Sequence, residues 1–239
     1  MSGRQFRSSL SSTFRYLLDP GLCIGCGQSL QPLQHFCSVC SSLLECIHQA
    51  CQLCGLENHN SGSNCAACLY DPPRWQKIIA PLIYRHFGRD LLIRLKFNES
   101  LYLANSLVSF LIEHFEQGES RPQVLLPVPL HQNRLISRGY NQAFEIAHIM
   151  SRLLNIPLDT QALKRIRHTE SQLGLSASQR EKNIRKAFNY ESVVKYSHVA
   201  VVDDIVTTGS TANEITKTLH RAGVPHVEIW GLARVLVQS

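Results

Sequence analysis

Two adjacent carboxylates and a run of small hydroxyl residues lie together between positions 203 and 211. Asp203 and Asp204 come directly after the apolar segment Val199–Val202. The run that follows, called the hydroxyl loop below, comprises Thr207, Thr208, Gly209, Ser210 and Thr211. Helix-terminal N–H groups, hydroxyls and a glycine suit a phosphate, and carboxylates suit ribose hydroxyls or a hydrated Mg²⁺. The order of these residues predicts a site for a ribose 5-phosphate group.

The elements that position this site can be predicted from the same stretch. The β-branched run Val199–Val202 indicates a buried strand. Thr211 and Glu214 have the spacing of a capping box, and Gly223 stands where a helix would end. A strand, a loop and a helix in this order would place free N–H groups of the helix start beside the carboxylates.

Other phosphate-binding patterns do not fit this segment. A Walker A loop requires Gly-Lys-Ser/Thr and a dinucleotide fold requires G-x-G-x-x-G, and the segment matches neither. The plain alternative is an Asp-Asp pair that ends any α/β strand, followed by a Thr/Ser-rich helix cap. Either half of the motif alone would favour that alternative. Because both halves occur in this order, we favour the ribose-phosphate site.

Eight of the nine cysteines form an internal repeat in the first third of the chain. The spacing C-x2-C-x10-C-x2-C gives a first tetrad of Cys23, Cys26, Cys37 and Cys40, then a second tetrad of Cys51, Cys54, Cys65 and Cys68. Four thiolates complete a tetrahedral Zn²⁺ site without an open position, so two structural zinc ions are predicted. The spacing leaves sequential and cross-braced pairing open. Cys46 is expected to be a small buried residue.

Composition limits the class of protein. The chain has 239 residues, is 44% hydrophobic and carries a formal charge of +6, so a folded core is expected. Much of the excess charge falls in the segment 164–186, which favours an anionic partner. No apolar run has membrane-spanning length and no secretory signal is evident, so we expect a cytoplasmic protein without membrane insertion. Cysteines in such a chain favour metal over disulfides.

The pattern of elements predicts an α/β fold behind a small metal module. Asp71-Pro72-Pro73 suggests a boundary, with a zinc module over 1–72 and a second domain over 73–239. The predicted helices lie at 89–97, 101–117 and 143–154. The predicted strands are Ile78–Tyr84, Val124–Val128, Thr160–Lys164, Val199–Val202 and Val227–Leu232. This order predicts a mostly parallel sheet flanked by helices, with the ligand site at the carboxyl ends of the strands.

Two further basic segments are candidates for anion contacts. Arg134 and Arg138 lie between a predicted strand and a predicted helix, where guanidinium groups would suit a pyrophosphate. Taken alone, this loop is equally compatible with a solvated surface loop. The segment Arg165–Lys186 has no convincing periodicity and is predicted to be a long loop that closes over a ligand. Its candidates for nucleic-acid contacts are Arg165, Arg167, Arg180 and Lys182.

The sequence VVDDIVTTGST at 201–211 resembles the phosphoribosyl-pyrophosphate (PRPP) motif of type I phosphoribosyltransferases. From residue 23 to residue 234 the chain resembles the ComF family, which includes GntX-like proteins. The resemblance covers the cysteine module, PVPL at 127–130, RGYNQA at 138–143, a sparse pattern across the basic segment, and Leu232-Ala233-Arg234. Tyr140 stands where the family often has Phe.

This resemblance implies a type I phosphoribosyltransferase-like fold with an N-terminal double zinc ribbon. It also implies an association with natural transformation, the uptake of environmental DNA, or with use of DNA as a nutrient. Such proteins are thought to act on the incoming single strand in the cytosol. The cytosolic face of an uptake machine and single-strand-processing proteins are then expected partners, and the acceptor of any transfer reaction is not implied.

Two functions of different class follow as expectations. In the first, the basic groove, alone or together with the zinc ribbons, holds single-stranded DNA, and PRPP or a related phosphate is a ligand or regulator. The second is an active phosphoribosyltransferase, in which Asp203 and Asp204 are catalytic and hold the ribose diol and Mg²⁺, the hydroxyl loop holds the 5′-phosphate, and Arg134 and Arg138 meet pyrophosphate. A third reading is a PRPP-sensing regulator without catalysis.

Overall fold

The computed structural model describes residues 21–31, 34–58, 63–96, 100–115, 121–131, 139–167 and 177–236. The strands, in chain order, are β1 (Lys77–Ile79), β2 (Leu82–Ile83), β3 (Val124–Pro127), β4 (Leu163–Arg165), β5 (Phe188–Tyr190), β6 (His198–Val202), β7 (Ile205–Val206), β8 (His226–Trp230) and β9 (Ala233–Arg234). The α-helices are α1 (Ser38–Ser42), α2 (Ala66–Tyr70), α3 (His86–Lys96), α4 (Ser100–Leu111), α5 (Gln142–Leu154), α6 (Ala177–Ile184) and α7 (Ser210–Arg221), and a 3₁₀ turn spans Ile112–His114.

A parallel sheet of four strands, ordered β1-β8-β6-β3, forms the centre of the larger part of the chain. All five residues of β6 are buried, because helices cover both faces of the sheet. Val199 and Val201 join a hydrophobic cluster with α7, while Ala200 and Val202 join a second cluster with α3, α4 and α5. The predicted mostly parallel sheet flanked by helices is confirmed.

Three strands of this sheet continue, after a break, into a second parallel sheet ordered β2-β9-β7. The predicted strand Ile78–Tyr84 is thus two strands, because Pro81 has no N–H to continue the ladder. The predicted strand Val227–Leu232 is likewise divided at Gly231, whose N–H donates to the carbonyl of Ile79 at 2.8 Å. Asp203 and Asp204 occupy the same level between β6 and β7. The carboxylates therefore lie at a step between two sheets.

The predicted strand Thr160–Lys164 and the predicted basic loop were both wrong in part. Asp159 accepts bonds from the N–H groups of Gln161 and Ala162, each at 2.9 Å, so the chain turns there. The strand that follows is β4, which pairs antiparallel with β5 outside the central sheet. The second half of the predicted loop contains α6, which packs beside α7. Residues 168–176 lie outside the described part of the chain.

The cysteine-rich segment packs directly on these sheets and helices. Cys23 and Cys40 share a hydrophobic cluster with Leu91 of α3 and Leu103 of α4. The division into domains at residue 72 stays a prediction. Among the described residues, no helix has both the length and the apolar character needed to cross a membrane.

Candidate functional site

The backbone holds the carboxylate pair in place from both sides. The N–H of Asp203 donates to the carbonyl of Trp230 at 2.8 Å, and the carbonyl of Asp204 accepts from the N–H of Leu232 at 3.0 Å. Oδ1 of Asp203 accepts from the N–H of Asp204 at 2.9 Å, and Oδ1 of Asp204 accepts from the N–H of Ile205 at 2.8 Å. Both residues are half-buried at the carboxyl end of β6. Their side chains are thus oriented before any ligand arrives.

The hydroxyl loop runs from the carboxylates into the start of α7. Helix α7 begins at Ser210, and its N-cap is Gly209, which lies in the left-handed region with φ +80°. The predicted capping box at Thr211 and Glu214 is wrong, because a carboxylate oxygen of Glu214 instead accepts from the N–H of Lys186 at 2.7 Å. Gly209 has no side chain with which to cap α7. The first N–H groups of the helix therefore face the loop.

Two hydroxyls of the loop meet at this helix start. Oγ1 of Thr208 lies 2.8 Å from Oγ of Ser210, and the N–H of Ser210 lies 3.4 Å from Oγ1 of Thr208. Thr208 is exposed and Ser210 is half-buried. Hydroxyls and N–H groups that converge in this way can donate to the oxygens of one phosphate group.

Trp75, which no sequence motif marked, supports the hydroxyl loop. A Cβ at position 209 would lie 2.9 Å from Cη2 of Trp75, so the indole fills the space that only a glycine leaves. Nε1 of Trp75 donates to the carbonyl of Leu53 at 2.5 Å. Leu53 lies between two ligands of the second tetrad, so Trp75 connects that tetrad to the hydroxyl loop.

Arg234 makes a second connection between the same two parts. Its Nε donates to the carbonyl of Cys54 at 2.8 Å, and its guanidinium donates to the carbonyls of Val206, at 3.0 Å, and Thr207. The side chain is buried, and burial lowers the pKa of the guanidinium while the nearby cysteines oppose this shift. In the sequence, Arg234 stood out only as part of the Leu232-Ala233-Arg234 segment of the family resemblance.

Each cysteine tetrad has the geometry of a tetrahedral metal centre. The four Sγ atoms of the first tetrad lie within 4.8 Å of one another, and so do those of the second. Sγ atoms of Cys26 and Cys37 are 3.8 Å apart, as are those of Cys54 and Cys65. Zn–S bonds of about 2.3 Å in a tetrahedron place sulfurs ~3.8 Å apart. Both tetrads could hold zinc, and the ligands are grouped sequentially.

The thiols of the first tetrad differ in acidity. Burial raises the pKa of Cys23, but backbone N–H donors of Cys37, Cys26 and Gly25 outweigh it and bring this pKa to about 6. Burial and neighbouring thiols raise the pKa of Cys40 to about 12. A divalent cation is the partner that would allow all four thiols to ionise together. Cys46 belongs to neither tetrad; it is half-buried, and burial raises its pKa.

The structure describes only some of the basic residues that were predicted to contact pyrophosphate or nucleic acid. Arg134 and Arg138 lie outside the described residues. Arg167 donates to the carbonyls of Asn183 and Arg185, at 2.6 and 2.7 Å, and so joins β4 to the end of α6. Arg165 packs over the ring of Phe188, 5.6 Å from its centroid. Lys182 is exposed on α6; Arg180 lies in the same helix, and its side chain is outside the described part.

A comparison with known families agrees with the fold. The family described as "Phosphoribosyl transferase domain" matches residues 141–236, which include the carboxylates, the hydroxyl loop and α7. The sheet, its flanking helices and this match define a phosphoribosyltransferase-like fold.

Relatives extend the resemblance over nearly the whole chain. Competence protein F of Haemophilus influenzae is 35% identical over 230 residues, which cover 92% of this chain and 93% of that protein. The DNA utilization protein YhgH of Escherichia coli is 37% identical over 227 residues, which cover 92% of this chain and 100% of that protein. Competence protein ComFC of Streptococcus pneumoniae is 26% identical over 151 residues, or 63% of this chain and 65% of that protein. The chain belongs to the ComF family.

Among solved structures, an adenine phosphoribosyltransferase from Leishmania donovani is similar, with a TM-score of 0.38 and 15% sequence identity. That likeness covers 64% of this chain and 71% of the other.

Proposed function

We propose that this protein handles single-stranded DNA during DNA uptake or DNA use, and that it binds PRPP with Mg²⁺ at the hydroxyl loop. The observation that carries the proposal is the pair of oriented, half-buried carboxylates directly beside a helix start that Gly209 leaves without a side-chain cap. The names of the relatives, competence protein and DNA utilization protein, support the DNA part.

Each part of the candidate site has a role in this proposal. The carboxylates of Asp203 and Asp204 accept bonds from the two ribose hydroxyls. Backbone N–H groups and the hydroxyls of the loop bind the 5′-phosphate, and Arg134 and Arg138 bind the pyrophosphate. Bound Mg²⁺ would neutralise pyrophosphate charge, and Asp203 and Asp204 are the residues that would hold it. Two zinc ions in the cysteine tetrads stabilise the module beneath this site.

The proposed DNA contact is the basic segment Arg165–Lys186. Lys182 is exposed on α6, and α6 packs beside α7, the helix that begins at the hydroxyl loop. Arg165, Arg167 and Arg180 lie in the same segment, and positive charge there attracts phosphates without regard to sequence. Single-strand-processing proteins and the cytosolic face of an uptake machine are the proposed partners.

A second candidate function is transfer of the phosphoribosyl group to an unidentified base. The oriented carboxylates and the uncapped helix start favour it, because together they suit a ribose 5-phosphate group, which a transfer reaction would hold at this site. A PRPP-sensing regulator would use the same site without chemistry.

The deciding experiment titrates fluorescently labelled single-stranded DNA with the full chain, with and without Mg²⁺-PRPP. We expect salt-sensitive DNA binding whose affinity changes when PRPP is added. The double variant Asp203→Asn/Asp204→Asn should keep DNA binding and lose the PRPP effect. Absence of DNA binding would contradict the DNA part. DNA binding without any PRPP effect, together with no PRPP binding by calorimetry, would contradict the phosphoribosyl part.

A pair of matched variants locates the DNA contact. Lys182→Glu should weaken DNA binding and reduce the salt slope by about 1, as expected for a phosphate contact. Lys195→Glu makes the same charge change at an exposed residue outside the basic segment and should have a smaller effect. Equal effects of the two variants would exclude α6 as the contact.

A further inference from the structure

Three potential metal ligands, which no sequence motif marked, meet on one face of the central sheet. The register of β6 and β8 places His198 opposite His226, and Glu228 follows two residues along on the same face. His198 and His226 begin their strands, whereas Asp203 follows the other end of β6. The three residues therefore form a group separate from the candidate phosphoribosyl site.

The two imidazoles converge on a single carboxylate oxygen. Nε2 of His198 lies 3.0 Å from Oε1 of Glu228, and Nε2 of His226 lies 3.7 Å from the same atom. One ligand atom from each of the three residues lies within 4.8 Å of the other two. Ligands bound at about 2.0–2.1 Å to a tetrahedral ion lie ~3.4 Å apart. The two separations fall on either side of that value, so little movement would close the site around an ion.

The other oxygen of Glu228 is already held. Nε1 of Trp230 donates to Oε2 of Glu228 at 2.8 Å. Outer bonds of this kind orient a metal-binding carboxylate and leave its other oxygen for the ion. Glu228 is only 4% exposed, so its negative charge requires compensation by groups around it.

A buried ion pair between His198 and Glu228 is the competing explanation. It accounts for the 3.0 Å contact, since a proton shared by the two groups would sit there. It leaves Nε2 of His226 at 3.7 Å from the same oxygen, beyond hydrogen-bond distance, with its ring edge-on against that of His198 at a centroid distance of 4.1 Å. Coordination of one ion by all three side chains accounts for both imidazoles.

We propose that His198, His226 and Glu228 bind a divalent first-row transition-metal ion in addition to the two ions of the cysteine tetrads. Two imidazoles and one carboxylate favour Zn²⁺, Co²⁺ or Ni²⁺ over Mg²⁺. The side chain of His226 is 42% exposed, so a fourth position is open to water. Lys77 on β1 is in register with Glu228, and its positive charge makes this site weaker than the tetrads.

The test uses the full chain after both tetrads have been loaded with zinc, and titrates it with Co²⁺ by calorimetry and absorption. We expect one additional equivalent with the visible d–d bands of four-coordinate Co²⁺ and without thiolate-to-cobalt bands. Strong thiolate-to-cobalt charge-transfer bands would instead report that cobalt replaces zinc in the tetrads. Such replacement without binding of a further equivalent of cobalt would overturn the proposal. Uptake of no additional cobalt would overturn it as well.

Variants separate this site from adventitious surface binding. His226→Gln should lose the additional equivalent, and its half-exposed position makes the fold tolerant of the change. Glu228→Gln should lose it as well, and Trp230→Phe should weaken it about 10- to 100-fold. His148→Gln, which changes an exposed histidine on α5, is the matched control and should bind as wild type. Equal cobalt uptake by the His226 and His148 variants would contradict the proposal.

Discussion

The two cysteine tetrads have the same spacing and the same internal geometry, yet they contact different parts of the protein. In each, the third cysteine donates its N–H to the first sulfur at 3.3 Å, and the second and third sulfurs lie 3.8 Å apart. The first tetrad packs on the helices, where Arg94 donates to the carbonyl of Ile24 at 2.9 Å and Tyr102 donates to that of Leu22 at 3.0 Å. The spacing of the ligands determines the geometry of each metal centre. The residues packed around the centre determine which other parts of the protein depend on its metal.

The second tetrad packs on the edge of the sheets and on the hydroxyl loop. Arg234 and Trp75 each contact the backbone of this tetrad on one side and the loop on the other. Order in the hydroxyl loop should therefore depend on metal in the second tetrad and be insensitive to metal in the first. Three pairs of variants compare the two tetrads, and a fourth pair tests the contact between Trp75 and the hydroxyl loop.

The largest difference is expected between Cys54→Ser and Cys26→Ser. Loss of the second metal releases the backbone that Arg234 holds, so PRPP affinity should fall by about 5- to 150-fold, the usual range of coupling between sites. Cys26 is exposed, and its replacement should release the first metal and leave PRPP affinity near that of wild type. Calorimetric titration with Mg²⁺-PRPP measures both, and equal losses would contradict the comparison.

The same coupling can be measured from the metal side. Because linkage is reciprocal, Mg²⁺-PRPP should slow the release of one zinc ion to a chelator and leave the other unchanged. Hydrogen exchange at residues 206–209 in Cys54→Ser tests the coupling without any ligand. Faster exchange there with no PRPP binding by wild type would leave the connection intact and reject only the proposed ligand.

Arg234→Met should have the next largest effect. The variant removes the donor to the carbonyls of Cys54 and Thr207 and leaves that of Val206 with only the N–H of Val235, so unfolding free energy should fall by about 3 kcal/mol. Arg94→Met removes the bond from an exposed arginine to the carbonyl of Ile24 on the first tetrad's side and should cost about 1 kcal/mol. Denaturant unfolding of the zinc-loaded chains compares the two variants. A larger loss of unfolding free energy in Arg94→Met would contradict the stronger connection at the second tetrad.

Gly209→Ala should cost more stability than the same substitution at Gly139. Both glycines have φ near +80°, so each variant carries backbone strain of about 1–3 kcal/mol. A Cβ at 209 additionally meets Trp75, whereas nothing lies within 4 Å of one at 139. Thermal unfolding measures the loss of stability in each variant. Equal losses would show that the indole of Trp75 moves aside without a free-energy cost.

Trp75→Phe should give the smallest change. It removes the bond to Leu53 and keeps an aromatic ring beside Gly209, so about 1 kcal/mol of stability should be lost. Tyr102→Phe removes a comparable bond to Leu22 at the first tetrad. Stability should fall similarly in both, but only Trp75→Phe should lower PRPP affinity. A PRPP effect in Tyr102→Phe would show that the first tetrad is coupled as well.

Much of the site could be predicted because local sequence determines it. The repeat from Cys23 to Cys68 identifies the eight cysteine ligands, and the order of Val199–Val202, the carboxylates and the hydroxyl loop encodes a strand, a loop and a helix. The predicted PRPP and DNA contacts of individual residues remain predictions. Sequential grouping of the cysteines came only from the structure, because spacing alone fits both pairings.

The features that were missed depend on contacts between distant parts of the chain. Glu214 bonds to Lys186 in place of capping α7, and Gly209 is the N-cap. The step between the sheets arises where Pro81 and Gly231 interrupt neighbouring strands together. No window of sequence contains both partners of such a contact, so periodicity could not predict it.

The chain contains only two tryptophans, and they lie at two different sites. The indole of Trp75 faces Gly209 of the hydroxyl loop, and that of Trp230 donates to Glu228 beside the two histidines. Intrinsic fluorescence can therefore distinguish events at the two sites without any attached dye. In Trp230→Phe all indole emission reports on the loop and the second tetrad, whereas in Trp75→Phe quenching by added Co²⁺ reports on the histidine pair.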